Sequence, residues 1–211
     1  PLKEDITTRA IIHNDAGTFS FWIDQTPFLI DAGVGTYTRQ TFSKDRYTIW
    51  TMQSNYHNLP LINGVPQKHG ATYKATQVQA DKRKNTFTAN IATAYPAEAE
   101  VESWIRSYSL QKGQLRISDS FRLTTAKQPN QINFMTWGQV NTEIPGKIQL
   151  EVKGKKAFIE YDKQLFDVKT ETIPLTDPRL SNVWGKSIYR ITLTATNIYK
   201  TGNYSFIIKK Q

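Results

Sequence analysis

The 211-residue sequence predicts an all-β fold, a large two-sheet antiparallel β-sandwich. Apolar and polar side chains alternate along most of the chain, and this period of two is typical of half-buried strands. Turn-forming residues separate the alternating stretches at intervals of about 10 residues. No segment carries the sustained apolar repeat of an amphipathic helix, and the best helical candidate, residues 43–52, is short.

The predicted strands are rich in Thr, Tyr, Phe, Ile and Val, the residue types that a pleated, half-buried surface favours. In chain order they are residues 17–23, 27–30, 72–78, 86–92, 102–110, 115–123, 132–137, 148–152, 157–161, 188–194 and 204–208. Asn63-Gly64 is a strong two-residue hairpin signal, and Gly113 and Gly154 each separate two further strands. Residues 174–178 predict a surface loop. Because no low-complexity linker or internal repeat interrupts the pattern, we expect residues 1–211 to form a single domain.

The chain is strongly basic, with 27 Lys and Arg against 18 Asp and Glu and a formal net charge of +9. Such an excess favours an anionic partner: nucleic acid, an acidic membrane surface or an acidic polysaccharide. Charge does not choose among the three. The sequence contains neither an apolar run of about 18 residues nor a clustered aromatic face between its basic residues. A membrane or nucleic-acid partner is therefore not expected.

Candidate metal ligands lie between positions 11 and 69, where His13, His57 and His69 are the three histidines of the chain. Two imidazoles and the Asp31 carboxylate are a ligand set that suits zinc. Spacing alone leaves simpler interpretations open, because Asp31 stands before Gly33 as in an Asx turn and a lone histidine is more often structural. Cysteine is absent, which excludes disulfides and thiolate metal sites.

The segments HNDAGTF (13–19), PFLIDAGVGTY (27–37) and RYTIWTMQSNYHNLPLINGVPQ (46–67) together resemble the C-terminal β-sandwich domain of the heparinase II/III-like polysaccharide lyases. That family shows a histidine-rich segment ending in Asp and Gly, an Asp-x-Gly-x-Gly segment, and a His-Asn pair before a short hairpin. All three occur here in the family's order. The specific part of the resemblance covers roughly residues 9–75, and the later strands are less diagnostic.

The resemblance implies an enzyme that cleaves uronic-acid-containing polysaccharides, such as heparin or heparan sulfate, by β-elimination. It implies an N-terminal α/α toroid domain as a partner of the sandwich, and a periplasmic or secreted location. It also implies one structural zinc ion, whose ligands carry over to His13, Asp31 and His57. Asn14, Asp15 and Asn58 are then candidates to orient the imidazoles, or they form simple hydrogen bonds at strand ends, and His69 falls outside the motif.

Two departures from the family pattern bear on catalysis. The first histidine of the family's histidine pair, which serves catalysis, falls on Ile11, and isoleucine cannot transfer a proton. The toroid, which contributes the acid/base tyrosine, is absent from this sequence, so the catalytic residues are unknown. We therefore expect a piece of a longer lyase that binds substrate but hardly cleaves it. The alternative is a non-catalytic carbohydrate-binding or scaffolding module, which Ile11 favours.

Four residues are candidates for substrate binding. The resemblance places the loop that contains Arg39, Lys44 and Arg46 beside the cleft between the two domains, where cations can bind carboxylate or sulfate groups. Tyr56 belongs to the third motif segment and is compatible with lining the cleft or with packing in the core. A solvated charged loop is the simpler interpretation of the three cations.

Overall fold

The computed structural model describes residues 14–211. Ile11 and His13 lie outside the described residues. The strands are β1 (Phe21–Ile23), β2 (Thr26–Leu29), β3 (Pro60–Leu61), β4 (Thr76–Asp81), β5 (Thr86–Asn90), β6 (Val101–Gln111), β7 (Gln114–Leu123), β8 (Gln131–Thr136), β9 (Gln139–Ile144), β10 (Lys147–Val152), β11 (Lys155–Tyr161), β12 (Phe166–Pro174), β13 (Ser187–Ala195) and β14 (Thr201–Lys210). One short helix, α1 (Pro178–Trp184), precedes β13.

Two antiparallel sheets form the sandwich, which confirms the predicted fold class. The large sheet has eight strands in the order β4-β5-β6-β7-β14-β11-β10-β9, and the small sheet has four in the order β12-β13-β8-β3. β1 and β2 pair as a separate ribbon. The backbone N–H of Ile30, just after β2, donates to the carbonyl of Met135 in β8, so the chain leaving this ribbon is fastened to the small sheet.

The main core lies between the two sheets. Alternate residues of β7, such as Leu115, Ile117 and Phe121, point inward and are buried, whereas Arg116 and Ser120 between them are exposed. This is the period-two pattern of the sequence. Aromatic rings fill the centre of the core, where Phe134 meets Phe206 edge-on with ring centroids 5.4 Å apart.

A second, smaller apolar cluster joins the small sheet to α1 and to the segment around residue 50. Met135 and Ile188 contribute from the sheet and Leu180 from α1, with Trp50 and Trp184 packed against them. Residues 40–56 form four short 3₁₀ turns. The best helical candidate, residues 43–52, therefore forms 3₁₀ turns and not an α-helix, and its apolar residues are too few and too irregularly spaced for an α-helical face.

Most of the predicted turns are confirmed. Asn63 and Gly64 both have positive φ and connect Ile62 to Val65 in an antiparallel bridge, as a two-residue hairpin requires. Lys112-Gly113 and Lys153-Gly154 make the same kind of turn. In the part of the chain that the structure describes, no helix is long and apolar enough to cross a membrane.

Candidate metal centre

Three side chains from three chain segments converge next to the ends of β2 and β3. The carboxylates of Asp15 and Asp31 and the imidazole of His57 each offer one ligand atom, and these atoms all lie within 4.8 Å of one another. Asp15 lies in the turn before β1, Asp31 two residues after β2, and His57 three residues before β3. The structure thus brings together two of the predicted ligands, Asp31 and His57, and adds Asp15. The third predicted ligand, His13, is outside the described residues.

His57 is buried, with 1% of its surface exposed, at the end of the 3₁₀ turn Ser54–Tyr56. Its Nδ1 lies 2.9 Å from the carbonyl oxygen of Gln53. A carbonyl can only accept, so we assign the ring proton to Nδ1. In this tautomer the lone pair is on Nε2, which lies 3.8 Å from the Asp31 carboxylate. A backbone carbonyl on the far ring nitrogen is the usual orienting contact of a metal-binding histidine.

The Asp31 carboxylate has two roles, in a backbone turn and as a candidate metal ligand. Its Oδ1 accepts the backbone N–H of Gly33 at 2.8 Å, so the Asx-type contact that the spacing allowed is present. Its Oδ2 faces His57. The side chain is 34% exposed, so an ion from solvent can reach it. The two interpretations of Asp31 are therefore compatible, since each uses a different oxygen.

Asp15 was predicted to orient an imidazole or to form a simple hydrogen bond at a strand end, and the structure places its carboxylate among the candidate ligand atoms. The backbone turns at this point, since the N–H of Thr18 donates to the Asp15 carbonyl at 2.9 Å. The hydroxyl of Tyr108 donates to the Gly17 carbonyl in the same turn. Burial raises the pKa of Tyr108 to about 12, so this hydroxyl stays protonated as a donor. The sequence feature that could have indicated Asp15 as a ligand is its position two residues after the predicted ligand His13.

Asn58 fixes the relative position of the three segments. Its side-chain amide donates to the carbonyls of Phe19, at 2.6 Å, and Ile30, at 3.1 Å. Its Oδ1 accepts the backbone N–H of Met135 at 2.7 Å. Ile30 directly precedes Asp31, and Asn58 itself directly follows His57. The amide binds backbone groups, and no contact of it with an imidazole is seen among the described residues.

A buried ion pair supports Asn58 from the large sheet. Arg106 on β6 and Asp119 on β7 are both fully buried and form two parallel hydrogen bonds of 2.8 Å. The remaining guanidinium nitrogen of Arg106, Nη1, donates to the backbone carbonyl of Asn58 at 2.7 Å. Burial alone would lower the pKa of Arg106, but the Asp119 carboxylate raises it above its ordinary value. Trp104 completes the network by donating to Asp119 at 2.9 Å.

The donor set fits a zinc ion. Zinc binds imidazole nitrogen and carboxylate oxygen, and at bond lengths of about 2.1 Å two tetrahedral ligand atoms lie about 3.4 Å apart. The 3.8 Å between His57 and Asp31 is close to that spacing. Two carboxylates also balance the dipositive charge. The ligand atoms of all three residues lie within 4.8 Å of one another.

The four candidate substrate-binding residues lie on or next to the 3₁₀ turns of residues 40–56. Arg39 and Lys44 are exposed on the 3₁₀ segment, and Arg46 is half-buried, with its guanidinium 5.8 Å from the Tyr47 ring centroid. Tyr56 is half-buried in the smaller apolar cluster. Its ring meets Trp50 edge-on at 5.3 Å and lies under Arg190 at 4.5 Å, so packing accounts for its position.

Comparisons with known proteins agree on the kind of domain. The family model described as "Heparinase II/III-like, C-terminal" matches residues 9–177. No curated protein matches the chain. Two solved structures of the heparinase III BT4657 gene product, one with methylated lysines, superpose with a TM-score of 0.68 at 13% and 14% sequence identity. They cover 94% of this chain, which spans 30% of theirs, and at this identity the likeness shows the fold.

Proposed function

Because this chain belongs to the heparinase II/III-like family, as its C-terminal domain, we propose that it is the sandwich portion of a polysaccharide lyase. The substrate is a uronic-acid-containing polysaccharide of the heparin or heparan sulfate kind, and the bond is broken by β-elimination. The observation that carries the proposal is the family match over residues 9–177. The net charge of +9 supports an acidic glycan.

β-Elimination sets three chemical requirements. The uronate carboxylate must be neutralised so that the proton on C5 becomes acidic, a base must remove that proton, and an acid must protonate the departing O4 as the C4–C5 double bond forms. We propose that the toroid supplies the base and the acid. The sandwich binds the acidic chain, and the exposed cations Arg39 and Lys44 and the half-buried Arg46 are its candidate carboxylate and sulfate contacts.

The lyase proposal is tested on the protein that contains both domains. We expect it to release unsaturated uronate ends, which absorb in the ultraviolet, from heparan sulfate. The 211-residue chain alone should bind the polysaccharide but hardly cleave it. A full-length protein that binds heparan sulfate and other uronate polysaccharides without producing unsaturated ends would contradict the lyase proposal. That result would favour the second candidate, a non-catalytic carbohydrate-binding module, for which Ile11 is the supporting observation.

We further propose that Asp15, Asp31 and His57 hold one zinc ion, together with His13. The ion, when bound, supplies a charged cross-link between three chain segments and has a structural role. His57 presents its Nε2 because Gln53 holds its Nδ1 proton, and Asp31 presents Oδ2 because Gly33 occupies Oδ1. The convergence of these side chains supports the proposal.

Elemental analysis of the purified chain tests the zinc site. We expect about one zinc per chain, lost in His57→Ala and in Asp15→Asn. Asp167→Asn, which removes an exposed carboxylate from β12, is the matched control and should keep the metal. Zinc retained in full by Asp15→Asn would remove Asp15 from the ligand set, and no zinc in the wild-type chain would refute the site.

A further inference from the structure

Two neighbouring cavities open beside Asp15, which lines the smaller of them. Their volumes are about 320 and 220 Å³, and they share a wall of four residues: Asn14, Gln67, Lys68 and His69. Tyr47 closes the larger one, while Tyr73 and Lys74 line the smaller one. The larger cavity reaches the lower end of the roughly 300–1,000 Å³ range of small-molecule sites. We call the two cavities together the Lys68 recess.

The wall of the recess is rigidly held. Gln67 is buried and forms a pair of hydrogen bonds with the backbone of Ala16, accepting the N–H at 2.9 Å and donating to the carbonyl at 2.8 Å. Its own backbone N–H donates to the hydroxyl of Ser54 at 2.8 Å. Lys68 continues this anchorage by donating its backbone N–H to Ala94 at 3.1 Å. The side chains of residues 67–69 therefore start from a fixed backbone.

The recess combines cations with flat ring faces. His69 stacks on Tyr47 with centroids 3.7 Å apart and planes 9° apart. The Lys68 ammonium lies 5.7 Å from the Tyr73 ring centroid. Lys68 and Lys74 are exposed, and neither forms an ion pair with a carboxylate in residues 14–211. Their charges are thus available to an anion.

One buried polar atom in the wall lacks a partner. Asn14 is 8% exposed and lines both cavities, and its Oδ1 has no hydrogen-bond partner among the described residues. A buried acceptor left unsatisfied is costly, so such an atom indicates a missing donor. A hydroxyl of a bound molecule would supply that donor. The recess therefore offers an acceptor, cations and stacking faces at once.

We propose that the Lys68 recess is a subsite for one acidic sugar unit of the polysaccharide. Lys68 and Lys74 pair with its carboxylate or sulfate, the His69–Tyr47 stack faces the sugar ring, and Asn14 Oδ1 accepts one of its hydroxyls. The proposal rests on the proposed function for the class of ligand. It adds contacts outside the 39–46 loop to the candidate contacts within that loop.

Binding of heparin tetrasaccharide and of hyaluronan tetrasaccharide to the 211-residue chain tests the subsite. The first probe carries sulfates and carboxylates and the second only carboxylates. The double variant Lys68→Gln/Lys74→Gln is compared with Lys82→Gln/Lys84→Gln, which removes two exposed cations from the turn between β4 and β5. Both variants lower the net charge equally. We expect the first to weaken binding about tenfold or more and the second less than twofold.

A second readout locates the ligand without any variant. We expect the amide resonances of Gln67, Lys68 and Lys74 to shift on addition of either tetrasaccharide. Equal weakening by both double variants, or shifts confined to the 39–46 loop, would overturn the subsite. A wild-type chain that binds neither probe would also overturn it. The lyase proposal stands or falls separately, on unsaturated ends released by the full-length protein.

Discussion

Asn58 shows how much of the candidate metal centre depends on one amide. Its side chain satisfies two carbonyls and one N–H that belong to three different segments. His57 faces the candidate ion site, and the neighbouring Asn58 positions the backbone around that site.

Asn58→Ala should lower the free energy of unfolding by about 3 kcal/mol or more, because it leaves buried backbone groups unsatisfied. Asn203→Ala, at an exposed position on β14, should change it by less than about 0.5 kcal/mol. Urea unfolding followed by circular dichroism gives both values. Similar values for the two variants would show that the Asn58 contacts add little.

Asp177 makes the stability of the chain depend on pH. The backbone N–H and hydroxyl of Thr36 donate to its carboxylate, and these bonds hold the pKa of Asp177 below its ordinary value of 3.8. Because the folded state favours the ionised form, the stabilisation is present above pH 3.8 and is lost as the pH falls through the lower folded pKa. Asp177→Asn should cost about 1 kcal/mol at pH 7.

The test is the difference in unfolding free energy between wild type and Asp177→Asn across the acidic range. We expect the difference to shrink as the pH falls below 3.8. A difference that is constant from pH 7 downward would show that the charge of Asp177 has no part in it. Asp167→Asn, with its exposed carboxylate, is the control.

Among the elements, the hairpins were predictable from sequence, whereas β9, β12 and α1 were not. Turns such as Asn63-Gly64 follow from local backbone chemistry, which a short window of sequence contains. β9 and β12 are edge strands whose side chains are mostly exposed, so they lack the alternation that marks a half-buried strand. The helix α1 has only seven residues, although Asp177 as cap and Pro178 at its first turn are recognisable start signals.

The candidate site was also only partly predictable from the sequence. Asp31 and His57 were predicted because they match family motifs. Asp15 was not predicted as a ligand, because its role depends on how the turn before β1 meets two distant segments. The Lys68 recess likewise depends on the hydrogen-bonded pairing of Gln67 with Ala16, 51 positions apart. Such long-range placements are decided by tertiary packing.

Gly138 lets β9 approach β10. A Cβ at this position would overlap the Glu151 carbonyl oxygen and would lie 2.9 Å from its carbonyl carbon. We expect Gly138→Ala to cost about 2 kcal/mol or more, because backbone must move. Gly113→Ala, which meets no neighbour but has a φ of +72°, should cost about 1 kcal/mol from strain alone. Thermal unfolding of both variants measures which is less stable. A larger loss of stability in Gly113→Ala than in Gly138→Ala would contradict the role of Gly138 in the approach of β9 to β10.

At the scale of the whole molecule, a zinc ion would join three segments that the fold already holds close together. Binding to the folded state alone stabilises by mass action, about 4 kcal/mol at a free concentration 1,000 times Kd. For a chain of this size, that corresponds to a rise in Tm of roughly 8–16 °C.

We expect zinc to raise the Tm of chelator-treated wild type and to leave that of Asp31→Asn nearly unchanged. Scanning calorimetry measures both proteins in the same buffer. An equal rise in the two would place any zinc effect at another site. Asp167→Asn should respond as the wild type does.

The position of β14 has a consequence for how the protein is made. This strand lies between β7 and β11 in the middle of the large sheet, yet it follows every other strand in the sequence. Until the ribosome has synthesised residue 210, the β4–β7 and β9–β11 groups have no strand to join them. Until then, each group presents an unpaired strand edge. The nascent chain therefore needs protection from aggregation until β14 emerges.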